Sequence, residues 1–180
     1  VIRGRYFIDA TYEGDLMAAA GVAYTVGREA NATYHETMNG IQIDETGSAH
    51  ISPYIVEGEP KSGLLPRIEP KPYGPHGASD HRFQAYNFRL CLTTVAENRV
   101  PITKPANYNP LNYELMLRDM QRKKSLTPGK GYFTRVPMPN LKTDSNNAGT
   151  FSTDYIGGSY GWPEASYAER EQMLAEHRGY

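Results

Sequence analysis

The first residues that could do chemistry lie in a turn between a predicted strand and a short predicted helix. The stretch YFIDATYEGDLMAAAG, residues 6–21, passes from an apolar run through an acidic turn into small residues. Ligands of open α/β sheets bind beyond the carboxyl ends of strands, which is where such a turn would lie. Thr11 could donate a hydrogen bond, and Gly14 permits a close backbone approach. The ligand-binding candidates here are Asp9, Thr11, Glu13, Gly14 and Asp15, although Thr11 and Asp15 could instead only cap the helix.

A second pair of candidates lies on the strand predicted over residues 82–93. Its alternating pattern places Asn87 and Arg89 on one face, with Tyr86 on the opposite, apolar face. An arginine carries a fixed, planar positive group that suits a carboxylate or a developing negative charge. We therefore predict that Asn87 and Arg89 contact substrate, with a solvent-facing strand side as the alternative.

The densest polar cluster of the chain follows in TDSNNAGTFSTD, residues 143–154. Asp and Asn at this frequency are typical of turns. A binding loop that presents carboxylates and amides to a polyhydroxyl substrate would have the same composition. Asp144, Asn146 and Asn147 are accordingly further substrate candidates, within a loop predicted over residues 125–147.

Other site classes have weaker sequence support. Asp80 and His81 are adjacent and could act in proton transfer, although a histidine in a Gly/Pro-rich loop is usually a surface residue. The five histidines have no metal-ligand spacing, and Cys91 is the single cysteine. No metal site is predicted.

The elements predicted to carry these residues indicate a mixed α+β or α/β chain. Consecutive apolar residues favour a strand over residues 5–10 that is buried on both faces. A helix is expected over residues 15–21, another from Pro110 with Asn109 as its cap, and a last one behind a Ser166–Glu169 capping box. Tyr113, Met116, Leu117 and Met120 form an apolar stripe predicted to be core. Further strands are predicted over residues 22–26, 40–44 and 50–56, with a long Pro/Gly-rich loop over 57–80.

Composition excludes some partners. The 180 residues have a formal net charge of -1, so no basic surface for nucleic acid is indicated. No apolar run approaches the ~20 residues of a membrane helix. The 14 tyrosines, 17 glycines and 13 prolines favour a loop-rich protein with many aromatic contacts. The compartment stays open between cytoplasmic and periplasmic or secreted.

Several segments carry a resemblance to a known family. DATYEGDL is similar to the D-A-T-G-D-x-D-L-A segment of FAD-dependent oxidoreductases of the glutathione-reductase type, and departs from it at Tyr12 and Glu13. YTVGREANATYHETMNG, SGLLPRI, QAYNFRLCLT, ENRVP, KTDSNNAGTFSTDYIG and PEASYAEREQMLAEHRGY resemble, in that order, segments of a bacterial branch of these flavoproteins. The resemblance covers essentially all 180 residues.

The resemblance implies an FAD cofactor and hydride transfer between flavin and a small or sugar-like substrate. It implies that residues 1–27 are part of an FAD-binding domain, that Asp9 to Asp15 face the cofactor, and that residues 28–180 supply substrate-domain strands, loops and helices. The G-x-G-x-x-G turn of such domains does not occur here. The chain is therefore expected to be an internal fragment that is inactive and colourless alone.

Two other functions are compatible with the residues. A polysaccharide lyase or hydrolase would use scattered carboxylates for acid–base chemistry and tyrosines to stack on sugars, although the single Trp162 is unusual for a long sugar cleft. A non-catalytic binding module is the other alternative.

Overall fold

The structure, a computed structural model, describes residues 1–43, 51–70, 73–124, 131–149 and 151–180. These residues form short helices and long irregular segments around one small antiparallel sheet, an arrangement consistent with an α+β fold. The helices are α1 (Asp15–Ala19), α2 (Asn31–Tyr34), α3 (Glu114–Arg122) and α4 (Tyr167–Gly179). The strands are β1 (Leu90–Thr93), β2 (Phe133–Met138) and β3 (Lys142–Asn147), and 3-10 turns span Pro60–Ser62, Ala96–Asn98, Pro110–Tyr113 and Trp162–Glu164.

β3 is the central strand of the sheet and pairs antiparallel with both β1 and β2. Its Asp144 lies opposite Cys91 on one side and opposite Val136 on the other. The prediction of a loop over residues 125–147 is therefore wrong for residues 131–147, while 125–130 lie outside the described residues. The turn-forming side chains of β3 are accommodated because partners on neighbouring segments bind them, so pairing overrides local propensity.

The helix starts follow the sequence closely. The side chain of Asn109 accepts a hydrogen bond from the Leu111 amide at 3.1 Å, and Pro110 opens the 3-10 turn that leads into α3. At α4 the Ser166 side chain accepts from the Glu169 amide while the Glu169 carboxylate accepts from the Ser166 amide. Both caps satisfy backbone donors that the first helical turn leaves unpaired.

Several predicted strands do not form. Residues 5–10 and 22–26 are not in strands, and Tyr6 is 90% exposed where burial on both faces was expected. A strand needs a neighbour for its backbone groups, and no described segment pairs with residues 5–10. The strand predicted over 82–93 is reduced to β1.

The third and fourth predicted strands are also replaced by other pairing. Residues 40–43 and 51–56 form no strand, and residues 44–50 lie outside the described part. Ile41 instead exchanges backbone hydrogen bonds with the Pro/Gly-rich segment, accepting from the Gly77 amide and donating to the Ala78 carbonyl. Tyr54 makes one isolated bridge to Leu64.

The buried face of α3 differs from the predicted apolar stripe. Met120 is buried as predicted, but Leu117 is exposed, and Arg118 and Asp119 are buried beside Met120. Arg118 donates to the Glu114 carboxylate at 2.8 Å and to backbone carbonyls of residues 52, 54 and 55 at 2.7–3.0 Å. A buried arginine is favourable here because its donors find acceptors.

Asp119 is the most perturbed carboxylate of the described residues. Burial alone would raise its pKa, but hydrogen bonds from Lys123, Tyr132 and Arg122 outweigh burial and lower the pKa from 3.8 to about 2. The Tyr132 hydroxyl donates at 2.7 Å and Arg122 at 3.0 Å. This carboxylate ties α3 to the start of β2.

Replacing Asp119 by Asn should make the free energy of unfolding less dependent on pH in the acidic range. The ionised carboxylate stabilises the fold above its unfolded pKa of 3.8, and that stabilisation is lost as pH falls toward about 2. We expect D119N to cost roughly 1–2 kcal/mol at pH 7, a discounted value because Lys123 and Arg122 are half-exposed. Denaturant unfolding at pH 7 and pH 2.5 measures this. E97Q, at an exposed position, is the control, and an equal cost of D119N at both pH values would contradict the assignment.

Candidate functional site

The predicted cofactor turn is a closed hydrogen-bonded unit. The Asp9 carboxylate accepts from the Thr11 hydroxyl at 2.6 Å, from the Thr11 amide at 3.0 Å and from the Met17 amide at 3.0 Å. The Thr11 hydroxyl in turn accepts from the Gly14 amide at 3.1 Å. The bonds from Thr11, followed by the bond from Met17, lower the pKa of Asp9 below its ordinary value. These side chains therefore order the turn before any ligand binds.

Asp15 is held by an arginine from the far end of the chain. Arg170 of α4 donates to both Asp15 carboxylate oxygens at 2.8 Å, and the Tyr167 hydroxyl donates at 3.3 Å. The bond from Arg170 is the main reason that the pKa of Asp15 is lowered. Arg170 is buried and also donates to the Trp162 and Pro163 carbonyls at 3.0 Å. The Arg170 guanidinium therefore links α4 to α1 and to the 162–164 turn.

Glu13 and Gly14 complete the turn. Gly14 has a φ of 71°, the left-handed region in which glycine avoids the steric cost of a side chain, and it directly precedes α1. The Glu13 side chain makes no hydrogen bond or ion pair to any described residue. Of the five cofactor candidates, Glu13 therefore has the carboxylate that is left for a ligand.

The predicted substrate residues come together where β1 and β3 meet the segment after β3. The Asn87 amide nitrogen is 2.8 Å from the Asn146 side-chain oxygen, 2.8 Å from Asp154 Oδ1 and 3.0 Å from the Thr153 hydroxyl. Asn147 donates to the other oxygen of Asp154. The Asn87 oxygen Oδ1 has no partner among the described residues. The amide is thus held by its nitrogen and presents a free acceptor.

Arg89 is paired with Asp144 in a two-pronged ion pair, in which Nε lies 3.2 Å from Oδ1. The structure places all five substrate candidates, which the sequence analysis proposed as two separate groups, within one polar cluster. Arg89 and Asp144, however, satisfy each other, which leaves neither charge uncompensated. The other pair considered, Asp80 and His81, does not form, because Asp80 binds Arg28 instead, with Nε at 2.9 Å.

A cavity of about 210 Å³ is lined by residues of both the predicted cofactor turn and the polar cluster. We call it the aromatic cavity. Glu13 belongs to the turn and Asn87 to the cluster. The Tyr86 ring contacts Tyr12 at 5.8 Å and Trp162 at 6.0 Å, in edge-to-face geometry in both cases. The cavity is lined by Tyr12, Glu13, Tyr86, Asn87, Phe88, Trp162, Leu174 and His177.

Two residues of the aromatic cavity have buried ring nitrogens without a partner among the described residues, Trp162 Nε1 and His177 Nε2. His177 Nδ1 is 2.7 Å from the Met173 carbonyl one helical turn earlier. A carbonyl only accepts, so Nδ1 carries the hydrogen and Nε2 is left as an acceptor in the neutral ring. The residues that line this cavity thus include one buried unpaired donor and one buried unpaired acceptor.

A family model described as FAD dependent oxidoreductase matches residues 1–180, so the chain belongs to that family. The family implies an FAD cofactor. No curated protein and no solved structure matches the chain.

The described residues fit one end of FAD. Three carboxylates within residues 9–15 would repel the pyrophosphate, and no G-x-G-x-x-G turn occurs in the sequence. The Glu13 carboxylate, which has no partner among the described residues, instead suits hydroxyl donors such as those of the FAD polyol chain. At about 210 Å³ the aromatic cavity is below the ~300–1,000 Å³ of sites that enclose drug-sized ligands. It therefore suits part of a ligand or a small substrate.

Sequence reasoning missed Arg170 and His177 as site residues. Both lie on α4, at positions seven apart, which places them on one helix face. That spacing was visible, but Asp15, the carboxylate partner of Arg170, is 155 residues away in the chain. The long-range contact of Arg170 with Asp15 has no local signal.

Among the described residues no helix is long and apolar enough to cross a membrane. No group of three or more histidine, cysteine or acidic residues in the same part of the chain is arranged to hold a metal ion.

Replacing Arg170 by Lys should loosen the cofactor turn from α4. Lysine keeps the charge but cannot bind both Asp15 oxygens and two carbonyls at once. We expect the thermal midpoint to fall by about 5 °C or more, and the intrinsic fluorescence of Trp162 to change because its neighbouring contacts are lost. Arg99, exposed and bonded only to the Thr94 carbonyl, gives the control R99K. An unchanged midpoint in R170K would show that the fold does not depend on this contact.

Proposed function

We propose that this FAD-dependent oxidoreductase transfers a hydride between flavin and a small hydroxylated substrate bound in the aromatic cavity. The observation that carries the proposal is that this cavity is lined by both Glu13 of the predicted cofactor turn and Asn87 of the predicted substrate cluster. Two groups of residues that sequence patterns assigned to cofactor and to substrate thus line the same space. A cofactor and its substrate must meet in such a space for hydride transfer.

Binding would rest on acceptors and donors that the fold holds in place. The Asn87 side-chain nitrogen lies within hydrogen-bond distance of three acceptors, which hold the amide group in one orientation. Its oxygen, Oδ1, has no partner among the described residues and can therefore accept a hydrogen bond from a substrate hydroxyl without reorganisation. Tyr12, Tyr86 and Trp162 supply flat apolar walls that exclude water. A small sugar-like or alcohol substrate fits this combination better than a long polysaccharide, because the cavity is short.

His177 is the residue that could hold the substrate proton. When a carbinol is oxidised, its carbon loses a hydride and its oxygen loses a proton, and the new C=O bond forms from the electrons of the O–H bond. His177 Nε2 is an unpaired acceptor that lies beside the cavity, with the ring oriented by the bond from Nδ1 to Met173. When bound, FAD supplies the two-electron acceptor for the hydride.

The finer placement of the chain within its family is part of this proposal. We propose a glutathione-reductase-type flavoprotein of bacterial type, in which residues 1–27 belong to the FAD-binding domain and residues 28–180 to the substrate side. The support is the resemblance of DATYEGDL to that class of flavoprotein segments. The pyrophosphate-binding turn would be supplied by chain outside these residues.

The carbohydrate-enzyme and binding-module alternatives have less support. Acid–base cleavage of a glycosidic bond uses a pair of carboxylates that flank it. Glu13 is the carboxylate among the described residues that line the aromatic cavity, and no second one accompanies it there. The family match also points to redox chemistry.

The first test is the visible spectrum of the full-length gene product that contains these residues. We expect an oxidised-flavin spectrum that dithionite bleaches, because FAD is the family cofactor. Residues 1–180 alone should be colourless, since they lack the pyrophosphate turn. A folded full-length protein that stays colourless after incubation with FAD would rule out the proposed function.

Replacing His177 by Gln in the full-length protein should slow turnover roughly 10²–10⁴-fold, the usual contribution of a general base. Glutamine can keep a polar contact near Met173 but does not take up a proton. The measurement is single-turnover flavin reduction by substrate, with the bound-flavin spectrum checked first. H35Q, at an exposed position after α2, is the matched control. Flavin reduction by H177Q at the wild-type rate would remove His177 from the proton transfer.

A further inference from the structure

We propose that Arg67 and the cavity beside it bind a small hydrophobic carboxylate. This cavity, which we call the Arg67 cavity, is lined by Arg67 and Tyr155 among others and has a volume of about 360 Å³. The inference goes beyond the proposed redox function, because neither flavin nor the aromatic cavity is required for it.

The Arg67 guanidinium is held in place by a buried aromatic ring. Its central carbon lies 3.4 Å from the centre of the Tyr155 ring, and one nitrogen donates to the Ile156 carbonyl at 3.4 Å. Tyr155 is itself fixed, because its ring also packs against His177 at 4.8 Å and against Tyr180 at 4.7 Å. Stacking on an aromatic face leaves the edge of the guanidinium free for a planar, two-pronged partner.

No carboxylate of the described residues pairs with this arginine. The ion pairs of the described part involve Arg28, Arg82, Arg89, Arg118, Arg122 and Arg170, each of which contacts an aspartate or glutamate, and Arg67 is absent from them. Partial burial lowers the pKa of Arg67, whereas Glu176 and Tyr180 raise it from a distance, and the residue as a whole is exposed. A guanidinium that makes no ion pair in the described part and lies beside an apolar cavity favours binding of an anion there.

The walls of the Arg67 cavity decide what kind of anion fits. Most are apolar or aromatic, including Ile68, Leu115, Phe151 and the Tyr180 ring. The one acidic residue among them, Asp154, is bound on both oxygens by Asn87 and Asn147. One cation among apolar walls suits a hydrophobic molecule that carries a single negative charge. A phosphate dianion would need a second cation, which the described lining does not supply.

The size of the cavity supports a small ligand. About 360 Å³ lies at the lower end of the ~300–1,000 Å³ range of small-molecule sites. One aromatic or branched aliphatic acid would fill much of that space. The backbone of Arg67 has a φ of 70°, a conformation that costs free energy for a residue with a side chain. This backbone conformation orients the Arg67 side chain toward the cavity. Strained residues are common at ligand-binding sites, so the conformation is compatible with a binding role.

The test is an NMR titration of the chain with benzoate and, in parallel, with benzamide, which has nearly the same shape and no charge. We expect benzoate to shift resonances of Tyr155 and Phe151 saturably, and benzamide to bind at least about tenfold more weakly, as expected for loss of a charge-assisted hydrogen bond. Equal binding of both compounds, or no saturable shift with benzoate, would overturn the proposal.

Two substitutions locate the site. R67Q should weaken benzoate binding about tenfold or more, and R67K should weaken it less, because lysine keeps the charge but not the planar fork. R99Q is the control, since Arg99 is exposed and bonded only to a backbone carbonyl. The amide spectrum of each variant reports folding, and if R67Q does not fold, R67K decides. Wild-type benzoate affinity in a folded R67 variant, or an equal loss in R99Q, would overturn the assignment.

Discussion

The ion pair between Arg170 and Asp15 is the contact on which the site geometry depends. It joins residues 155 positions apart and uses both oxygens of the carboxylate, with two further bonds from Arg170 to the backbone of residues 162 and 163. Because of this one side chain, the turn that carries Tyr12 and Glu13 lies beside Trp162 and the helix that carries His177. Together with the contacts of the Tyr86 ring with Tyr12 and Trp162, this ion pair fixes how the two walls of the aromatic cavity meet.

Buried arginines take the place that a larger apolar core has in many domains. The buried apolar side chains of the described residues are few, namely Ile41, Leu65, Met120, Tyr132 and Tyr155. Arg118 and Arg170 are also buried, and each donates four hydrogen bonds. Such contacts are directional, so they specify which segments meet. They also make the fold sensitive to loss of one partner, since the charge left behind would be buried and unpaired.

The segment around Tyr155 connects the two cavities. The Tyr155 ring contacts Arg67 on one side and His177 on another, and the neighbouring Asp154 receives hydrogen bonds from Asn87 and Asn147. The same few residues therefore order the acceptor Asn87 in the aromatic cavity and the cation in the Arg67 cavity. The adjacent Gly158 is required by this packing, since a side-chain carbon there would lie 2.1 Å from the Tyr155 ring.

By itself the sequence determined the local features and the family. The caps at Asn109 and Ser166 and the short helix after Gly14 formed as predicted, because each depends on neighbours within a few residues. The ordered segments also indicated the FAD-dependent oxidoreductase family that the family model matches. Asn87, Arg89, Asp144, Asn146 and Asn147 were selected from the sequence as substrate candidates in two separate segments, and the structure brings these segments together.

Only the tertiary structure decided which residues pair across long distances. Residues 5–10 have the composition of a buried strand but no neighbour among the described residues, whereas the polar residues of β3 form the central strand because two partners flank them. The pairing of Arg170 with Asp15 and the free nitrogen of His177 likewise depend on how distant segments meet. Local propensity cannot specify such contacts, because their free energy arises only when both partners are already in place.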